Sequence, residues 1–234
     1  MRLAVQACLG LITATFLIGV AHAESTEPST DPDESLTLYA VHVLRVPREN
    51  WTGLGVYMGH GLILTAAHVV GRTGAWIGTE IEIAGKVLPA HVIKQGSFSE
   101  IDLALASIDE QQLPVSLRLR RMTICSRPPF PGEQVISVIP ERIARSHVIA
   151  PAALPKGLDA KFRTAMVDTA TTGASGSGVF DANRQCLLGI VSAMVRRSYT
   201  RVRPGKSTKG VMDVARYFVP APMITKFIPP AYHF

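Results

Sequence analysis

A histidine, an aspartate and a serine lie in three short segments whose composition suits hydrolysis of an amide: His68, Asp102 and Ser175. A serine hydroxyl becomes a good nucleophile when a histidine takes its proton and a carboxylate holds that histidine's tautomer. The negative oxygen of the intermediate needs backbone N–H donors, and a glycine-rich turn supplies them. We therefore predict acyl transfer by these three residues, with the N–H groups of Gly173 and Ser175 as the oxyanion hole.

The order of the three residues along the chain narrows the choice of fold. Subtilisin-like enzymes place the aspartate first, and α/β-hydrolases place the serine first. Here the histidine comes first and the serine last, in a chain rich in short β-type segments. This order agrees with neither of the other two arrangements.

Other residues of the same types have ordinary structural explanations. His42, His60 and His91 lie beside apolar runs, and we interpret them as core histidines. Asp109 is a rival to Asp102 but lacks its sequence context. There is no CxxC, HExxH or His-Cys cluster, so the sequence gives no support for a metal or another cofactor.

The segments that must position these residues are mostly β-type. Many short strands separated by Gly, Pro, Asn and Asp are typical of an all-β sandwich or barrel. A segment after Pro220, residues 221–228, has apolar residues at helical spacing and predicts a short C-terminal helix. The apolar or alternating runs occupy residues 40–46, 53–64, 81–83, 88–93, 103–108, 135–139, 166–167, 178–180 and 187–195.

Four motifs resemble those of trypsin/chymotrypsin-like serine proteases over roughly residues 38–230. They are TAAH at 65–68, DLAL at 102–105, GxSGS at 173–177 and GIVS at 189–192. The resemblance implies an all-β fold of two antiparallel six-stranded barrels with the site in the cleft between them. The first barrel, about 37–120, would supply His68 and Asp102, and the second, about 130–220, would supply Ser175.

Details of the motifs separate branches of that family. GxSGS, preceded by Thr-Thr and followed by Val-Phe, resembles the bacterial glutamyl endopeptidases, but Val191 replaces their usual histidine. Ala174 replaces the aspartate that pairs with a new N-terminus in trypsin-like zymogens, so we expect no activation of that kind. The protease domain also resembles that of the high-temperature-requirement proteases, and we expect no PDZ domain after it.

The resemblance also places the specificity pocket. Thr169 is expected at its base, with Ser192, Ala193 and Met194 along its wall. Asp168 is adjacent to Thr169, but neighbouring side chains on a strand point to opposite faces. Since no carboxylate is expected in the pocket, we predict a small or medium apolar residue before the scissile bond.

The N-terminal residues are typical of an export signal. Arg2 precedes an apolar run over residues 3–20, and Ala21-His22-Ala23 has the small residues that a signal peptidase recognises. We predict a signal peptide over 1–23 and an exported protein, periplasmic or secreted, without a membrane span after cleavage. An uncleaved anchor is the alternative, because the run approaches the length of a bilayer span.

The next residues, 24–36, are predicted to be a flexible acidic lead-in before the protease domain over 37–234, and whether this lead-in is trimmed stays open. The net charge is +6, or +5 after loss of Arg2 with the signal peptide. Such a charge gives no case for nucleic acid without a concentrated basic stripe. The expected partner is a peptide or protein substrate, and the oligomeric state stays open.

Two cysteines remain after the signal peptide is removed, Cys125 and Cys186. In an oxidising compartment we favour a disulfide between them over two buried thiols. Closing a loop of about 60 residues would add about 4 kcal/mol by chain entropy.

A basic run follows the last predicted strand: Arg196, Arg197, Arg201, Arg203, Lys206 and Lys209. We favour a solvated loop, with attraction of acidic substrates or of an anionic envelope surface as the alternative. For the whole chain, two other functions stay open. One is a latent or inactive binding protein on the same fold, and the other is an esterase that uses the same three residues.

Overall fold

The described part of the chain contains twelve strands that close into two antiparallel barrels of six strands each. This computed structural model describes residues 33–46, 52–70, 78–140, 142–154, 156–157, 163–167, 174–203 and 206–232. Both barrels belong to one compact unit, Asp31–Phe234. The predicted all-β fold of two six-stranded barrels is confirmed.

The first barrel has the strand order β1-β2-β3-β6-β5-β4. A 3-10 helix, Glu34–Tyr39, precedes it, and α1, Ala67–Val70, follows β3. The strands are β1 Ala40–Val46, β2 Thr52–Gly59, β3 Leu62–Thr65, β4 Gly78–Ile83, β5 Lys86–Gln95 and β6 Ala104–Ser107.

The second barrel has the order β10-β11-β12-β9-β8-β7. Its strands are β7 Gln134–Ile139, β8 Arg142–Ile149, β9 Ala165–Val167, β10 Gly178–Asp181, β11 Leu187–Arg203 and β12 Lys206–Pro220. The helical segments are a 3-10 turn at Glu110–Gln112, α2 at Val115–Arg118, 3-10 turns at Pro151–Ala153 and Pro230–Tyr232, and the C-terminal α3 at Ala221–Phe227.

Three buried clusters explain why the barrels form one unit. One fills the first barrel, around Tyr57 and Ile81, and another fills the second, around Met166 and Phe218. A third contains residues of both barrels, among them Met58, Leu105, Ile136, Phe180 and Val219, together with Ile224 and Phe227 of α3. This shared apolar interface fixes the two halves of the cleft relative to each other.

The acidic lead-in requires a correction at its end. The prediction made residues 24–36 flexible, but Leu36 is buried in the 3-10 helix and Asp33 forms an ion pair with Arg145 of β8. The ordered chain therefore begins at least as early as Asp33. Residues 24–32, like the predicted signal peptide, lie outside the described residues.

Strand β8 has no counterpart among the predicted strands. Its buried positions include Ala144 and Ser146, and the Ser146 hydroxyl donates to the Val167 carbonyl at 2.8 Å. Because these buried positions carry small or polar residues, apolar and polar residues alternate only weakly along the strand. The strand could therefore not be recognised from hydrophobicity alone.

The basic run is not the loop that we favoured. Strands β11 and β12 pair antiparallel from Gly189↔Pro220 to Arg203↔Lys206, so the run lies on a long hairpin. From Arg196 to Arg201 and from Ser207 to Asp213 the side chains are exposed or, at Gly210, half-buried. Because neither face of this hairpin is buried, its sequence does not need the alternation of apolar and polar residues by which a strand is predicted.

A disulfide joins Cys125 to Cys186, with a sequence separation of 61 residues. Cys125 lies in the segment that connects the two barrels along the chain, and its N–H donates to the Leu187 carbonyl at 2.9 Å. Cys186 directly precedes β11. The bond thus ties the connecting segment to the second barrel. Among the described residues, no helix has the length and hydropathy needed to cross a bilayer.

Candidate active site

His68 lies in α1, and side chains from two strands fix the backbone of that helix. A four-residue helix cannot satisfy its own terminal carbonyls. Arg45 of β1 donates from Nε to the Val69 carbonyl at 2.7 Å and also bonds the His68 carbonyl. Gln95 of β5 donates to the Ala67 carbonyl at 3.0 Å. The position of His68 is therefore set by the first barrel.

Asp102 lies just before β6 and faces His68. The adjacent Leu103 is fully buried, and its carbonyl accepts from the Gly96 N–H at 2.8 Å, which anchors this turn. Asp102 Oδ1 accepts from the His68 backbone N–H at 3.0 Å, and Oδ2 lies 2.7 Å from His68 Nδ1. A second hydroxyl, Ser192 Oγ, donates to the same Oδ2 at 2.5 Å.

These contacts decide the charge of Asp102. Burial acts to raise the pKa of Asp102, but hydrogen bonds from the His68 ring and from Ser192, the charge of His68 and the His68 N–H together place it below its ordinary value. The carboxylate is therefore ionised near neutral pH. An ionised carboxylate only accepts hydrogen bonds, so His68 Nδ1 must donate. In the neutral ring, Nε2 then has a free lone pair that can take a proton.

Ser175 lies in a tight turn closed by a hydrogen bond from Ser177 N–H to the Ala174 carbonyl at 3.0 Å. Gly176 has a φ of +89° in this turn, where a side chain is strained. A Cβ there would lie 1.9 Å from the Leu54 carbonyl oxygen and 2.5 Å from Thr65 Oγ1. Leu54 N–H also donates to the Ser175 carbonyl at 2.9 Å, so the turn is docked directly on the first barrel.

The hydroxyl of Ser175 donates to the Ser192 carbonyl at 3.3 Å. Although His68 and Ser175 are both described, no hydrogen bond joins the Ser175 hydroxyl to the His68 ring. Ser192 therefore contacts both ends of the predicted constellation, with its carbonyl at Ser175 and its hydroxyl at Asp102. Catalytic hydrogen bonds are often loose in substrate-free enzymes and tighten when substrate binds.

Residues 53–190 match the sequence family of the trypsin-like peptidase domain, and the match spans more than half of the chain. The chain belongs to that family. Membership assigns it to the serine endopeptidases, and it confirms the family inferred from the motifs. The match does not single out the glutamyl endopeptidase branch or the high-temperature-requirement branch.

Solved structures show the same fold for trypsin-like proteases of low sequence identity. The active form of the Rv3671c protease from M. tuberculosis is 16% identical with a TM-score of 0.55, over 94% of this chain and 92% of that chain. Kallikrein-related peptidase 10 in complex with Zn2+ is 14% identical with a TM-score of 0.59, over 84% and 96%. The serine endoprotease of Yersinia pestis is 19% identical with a TM-score of 0.55, over 82% and 62%. No curated protein matches the sequence.

The position of Ser192 in this trypsin-like domain corrects one expectation. Ser192 was expected on the wall of the specificity pocket, but it is only 2% exposed and its hydroxyl bonds Asp102. Ala193 and Met194 are half-buried and pair with Tyr217 and Arg216 of β12. Thr169, Asp168 and the oxyanion candidate Gly173 lie outside the described residues.

Two aromatic residues near the trypsin-like site were not anticipated. Phe98, which is 53% exposed, meets the His68 ring edge-on with 5.8 Å between the ring centroids. It therefore shields one side of the imidazole in the cleft. Burial, followed by the negative charge of Asp102, raises the pKa of the Tyr217 hydroxyl. No motif marks either position, since each depends on a contact between distant segments.

Two other features of the domain do not belong to this site. A cavity of about 600 Å³ lies between the connecting segment and the C-terminal region, lined by Met122, Ile124, Cys125 and Thr225 among others, and it contains none of the three predicted catalytic residues. Among the described residues, Cys125, Asp181 and Cys186 form the one group with metal-ligand spacing. Both sulfurs are joined in the disulfide, and Asp181 accepts from Arg127 at 2.8 Å, so this group is not a metal centre.

Proposed function

We propose that this protein is an exported serine endopeptidase that cleaves peptide bonds with Ser175 as nucleophile, His68 as general base and Asp102 as the orienting carboxylate. The observation that supports these roles best is the double contact of Asp102 with His68, through the ring Nδ1 at 2.7 Å and the backbone N–H at 3.0 Å. Two bonds fix both the position and the tautomer of the imidazole.

The proposed reaction is acyl transfer in two steps. His68 Nε2 takes the proton of Ser175 as Oγ bonds to the substrate carbonyl carbon, and the N–H groups of Gly173 and Ser175 stabilise the oxyanion. The His68 proton then goes to the leaving amine, which gives an acyl-enzyme. Water, activated by His68, adds to the acyl carbon and releases the acid and Ser175. The first step requires the Ser175 hydroxyl to turn from the Ser192 carbonyl towards His68.

The alternative is a latent or inactive binding protein with a protease fold, and the orientation of the Ser175 hydroxyl is the observation that favours it. Its bond to the Ser192 carbonyl would persist in such a protein, and the nucleophile would never be activated. An esterase with the same three residues would activate Ser175 but would turn over esters and not peptides. For the peptidase we propose a small or medium apolar residue before the scissile bond, since Met194, an apolar residue, follows Ser192 by two positions on β11.

Export is part of the proposal. Its support is the signal-like N-terminus of the sequence and a disulfide, because disulfides persist in oxidising compartments. Periplasm and secretion are equally compatible with both features.

The test is reaction of the purified chain with a fluorophosphonate, followed by mass spectrometry of its peptides. Activated Ser175 Oγ attacks the phosphorus and displaces fluoride, so we expect one label on Ser175, absent in Ser175→Ala and strongly slowed in His68→Gln. Matched peptide and ester substrates then separate an endopeptidase from an esterase. A well-folded wild type that takes no label would contradict the proposal and favour the latent binding protein.

A further inference from the structure

The hairpin of β11 and β12 extends well beyond the second barrel. Strand β12 pairs with β9 only at residues 215–217, and β10 pairs with β11 only as far as Ile190. Residues 196–203 and 206–213 therefore pair with each other alone among the described residues, and we call them the arm. Eight residues of strand span about 26 Å.

The arm is continuous with the active site through a single strand. Ser192 of β11 accepts from the Ser175 hydroxyl, and Arg197 follows five residues later on the same strand. The residue on the acyl side of a scissile bond must lie at Ser175 Oγ, and hence beside Ser192. A substrate extended from that point along β11 would run over the arm.

The edge of β11 that faces away from β12 has no strand partner beyond Ile190 among the described residues. In a two-stranded antiparallel ribbon, every second residue directs its N–H and C=O away from the partner. Such an edge can accept a further strand, as in recognition of an extended peptide by strand addition. An antiparallel peptide would place about its sixth residue before the scissile bond opposite Arg197, and about its tenth opposite Arg201.

The two faces of the arm differ in charge. Since side chains alternate, Arg197, Tyr199 and Arg201 share a face with their cross-strand partners Met212, Gly210 and Thr208. A Cβ on Gly210 would lie 2.5 Å from the Tyr199 ring, so that ring covers Gly210. We call this face, residues 197, 199, 201, 208, 210 and 212, the basic face.

On the opposite face, Arg196 forms an ion pair with Asp213 at 3.1 Å, so its charge is matched within the arm. That leaves Lys209, the cross-strand partner of Thr200, as the one exposed cation of this face that has no ion pair among the described residues. Within the described residues no ion pair includes Arg197 or Arg201. The basic face therefore presents two exposed guanidinium groups, four residues apart, with no acid beside them. Guanidinium groups are well suited to carboxylates, which they bind through paired N–H donors.

We propose that the arm is a substrate-binding element: the segment on the N-terminal side of the scissile bond adds as a strand to β11, and Arg197 and Arg201 select acidic side chains about six and ten residues before that bond. This inference rests on the proposed peptidase function of the same site. The expected substrates are proteins with an acidic stretch on the N-terminal side of the cleaved bond.

An anionic membrane surface fits the arm less well. A hairpin that lies on a membrane needs its apolar side chains on one face and its cations on the other. Here Met212 and Tyr199 are exposed on the basic face, while Val211 is 62% exposed on the opposite face. The apolar residues are thus divided between both faces.

The test compares peptides that share one cleavable core and differ only upstream, with Glu, Gln or Lys at about the sixth and tenth positions. For the wild type at low salt, we expect kcat/KM for the Glu peptide to exceed that for the Gln peptide about fivefold, and the Lys peptide to be slowest. The preference should shrink at about 1 M salt, where exposed charges are screened. The unextended core, which ends before Arg197, should be cleaved equally by every variant.

Three double variants identify the source of the preference. Arg197→Ser with Arg201→Ser should abolish it, and Arg197→Lys with Arg201→Lys should retain most of it. The matched control is Arg142→Ser with Arg184→Ser, which removes two exposed cations outside the arm and should retain it in full. Equal cleavage of the Glu and Gln peptides by the wild type, or an equal loss in the control, would overturn the proposal.

Binding separates this proposal from the peptidase function itself. Fluorescein-labelled Glu and Gln peptides are titrated into the Ser175→Ala chain, with and without the two Arg→Ser changes, and anisotropy is measured. Tighter binding of the Glu peptide that depends on the arm would support the inference even if the core peptide is never cleaved. If the Arg→Ser changes instead reduce only binding to vesicles containing phosphatidylserine, or only self-association, the arm is not a substrate element.

Discussion

Ser192 donates its hydroxyl to Asp102 Oδ2 at 2.5 Å, on the same oxygen that bonds His68 Nδ1 at 2.7 Å. Two donors thus share one carboxylate oxygen, while Oδ1 accepts from the His68 backbone N–H. Because the carboxylate is bonded from three directions, it cannot turn away from the imidazole. In the proposed mechanism, Ser192 would therefore act through Asp102, as a positioning residue.

Replacement of Ser192 by alanine should lower kcat/KM about tenfold, because a hydrogen bond to a charged group is worth about 1.5–3 kcal/mol and only part of it acts on the transition state. The effect should fall mainly on kcat, since the backbone of β11 is unchanged. The control is Ser146→Ala, which removes another buried hydroxyl with a carbonyl partner. That variant should lose stability and retain kcat/KM, whereas equal activity losses would contradict a specific role for Ser192.

The pH dependence of stability should reveal the environment of Asp102. Its pKa is lower in the folded protein than in the unfolded chain, so the unfolded state binds more protons as the pH falls. The resulting stability is fully present above the ordinary aspartate value of about 3.9 and is lost as the pH falls through the lowered value. Urea unfolding between about pH 6 and pH 3 should therefore show a steeper loss for the wild type than for Asp102→Asn. Parallel curves would mean that the carboxylate is not stabilised in its charged form.

The sequence motifs lead to segments that the structure brings together, since His68 contacts Asp102, and Ser192 contacts both Asp102 and Ser175. Each motif also determines its local structure. In the first motif, Thr65 ends β3 and its hydroxyl bonds the Leu54 carbonyl at 2.5 Å, so the histidine follows at a fixed offset. In the third, Gly176 occupies a position that favours glycine. The barrel fold followed from the family resemblance that these motifs indicate, which covers roughly residues 38–230.

Contacts between distant segments could not be predicted in this way. Ser192 and Asp102 are 90 residues apart in sequence, and Arg45 reaches the His68 carbonyl from 23 residues away. The sequence did not predict the arm for another reason. Both faces of the arm are exposed to water, so cross-strand pairing holds its strands together and no buried apolar face is needed. Hydrophobic periodicity therefore cannot identify such a hairpin.

The disulfide should contribute substantially to stability. Cys125 and Cys186 close a loop whose ends are 61 residues apart, and chain entropy predicts a contribution of about 4 kcal/mol to the free energy of unfolding. Dithiothreitol should lower the urea midpoint of the wild type and leave that of Cys125→Ala with Cys186→Ala unchanged. An equal response of both proteins to the reductant would show that the bond does not form.

Gly176 should be the least replaceable glycine near the nucleophile. An alanine there has both a strained positive φ and a Cβ that meets the Leu54 carbonyl oxygen at 1.9 Å, so the turn must move away from the first barrel. We expect Gly176→Ala to lose nearly all fluorophosphonate labelling, because displacement of Ser175 by about 1 Å costs about 100-fold in rate.

Gly132→Ala provides the matched comparison. Gly132 has a φ of +84°, close to the +89° of Gly176, but a Cβ there meets nothing within 4 Å. This variant carries the backbone strain without the clash, so it should lose about 1–2 kcal/mol of stability and label at the wild-type rate. If Gly176→Ala also labels at the wild-type rate, the close docking of Ser175–Gly176 on Leu54 and Thr65 does not position the nucleophile.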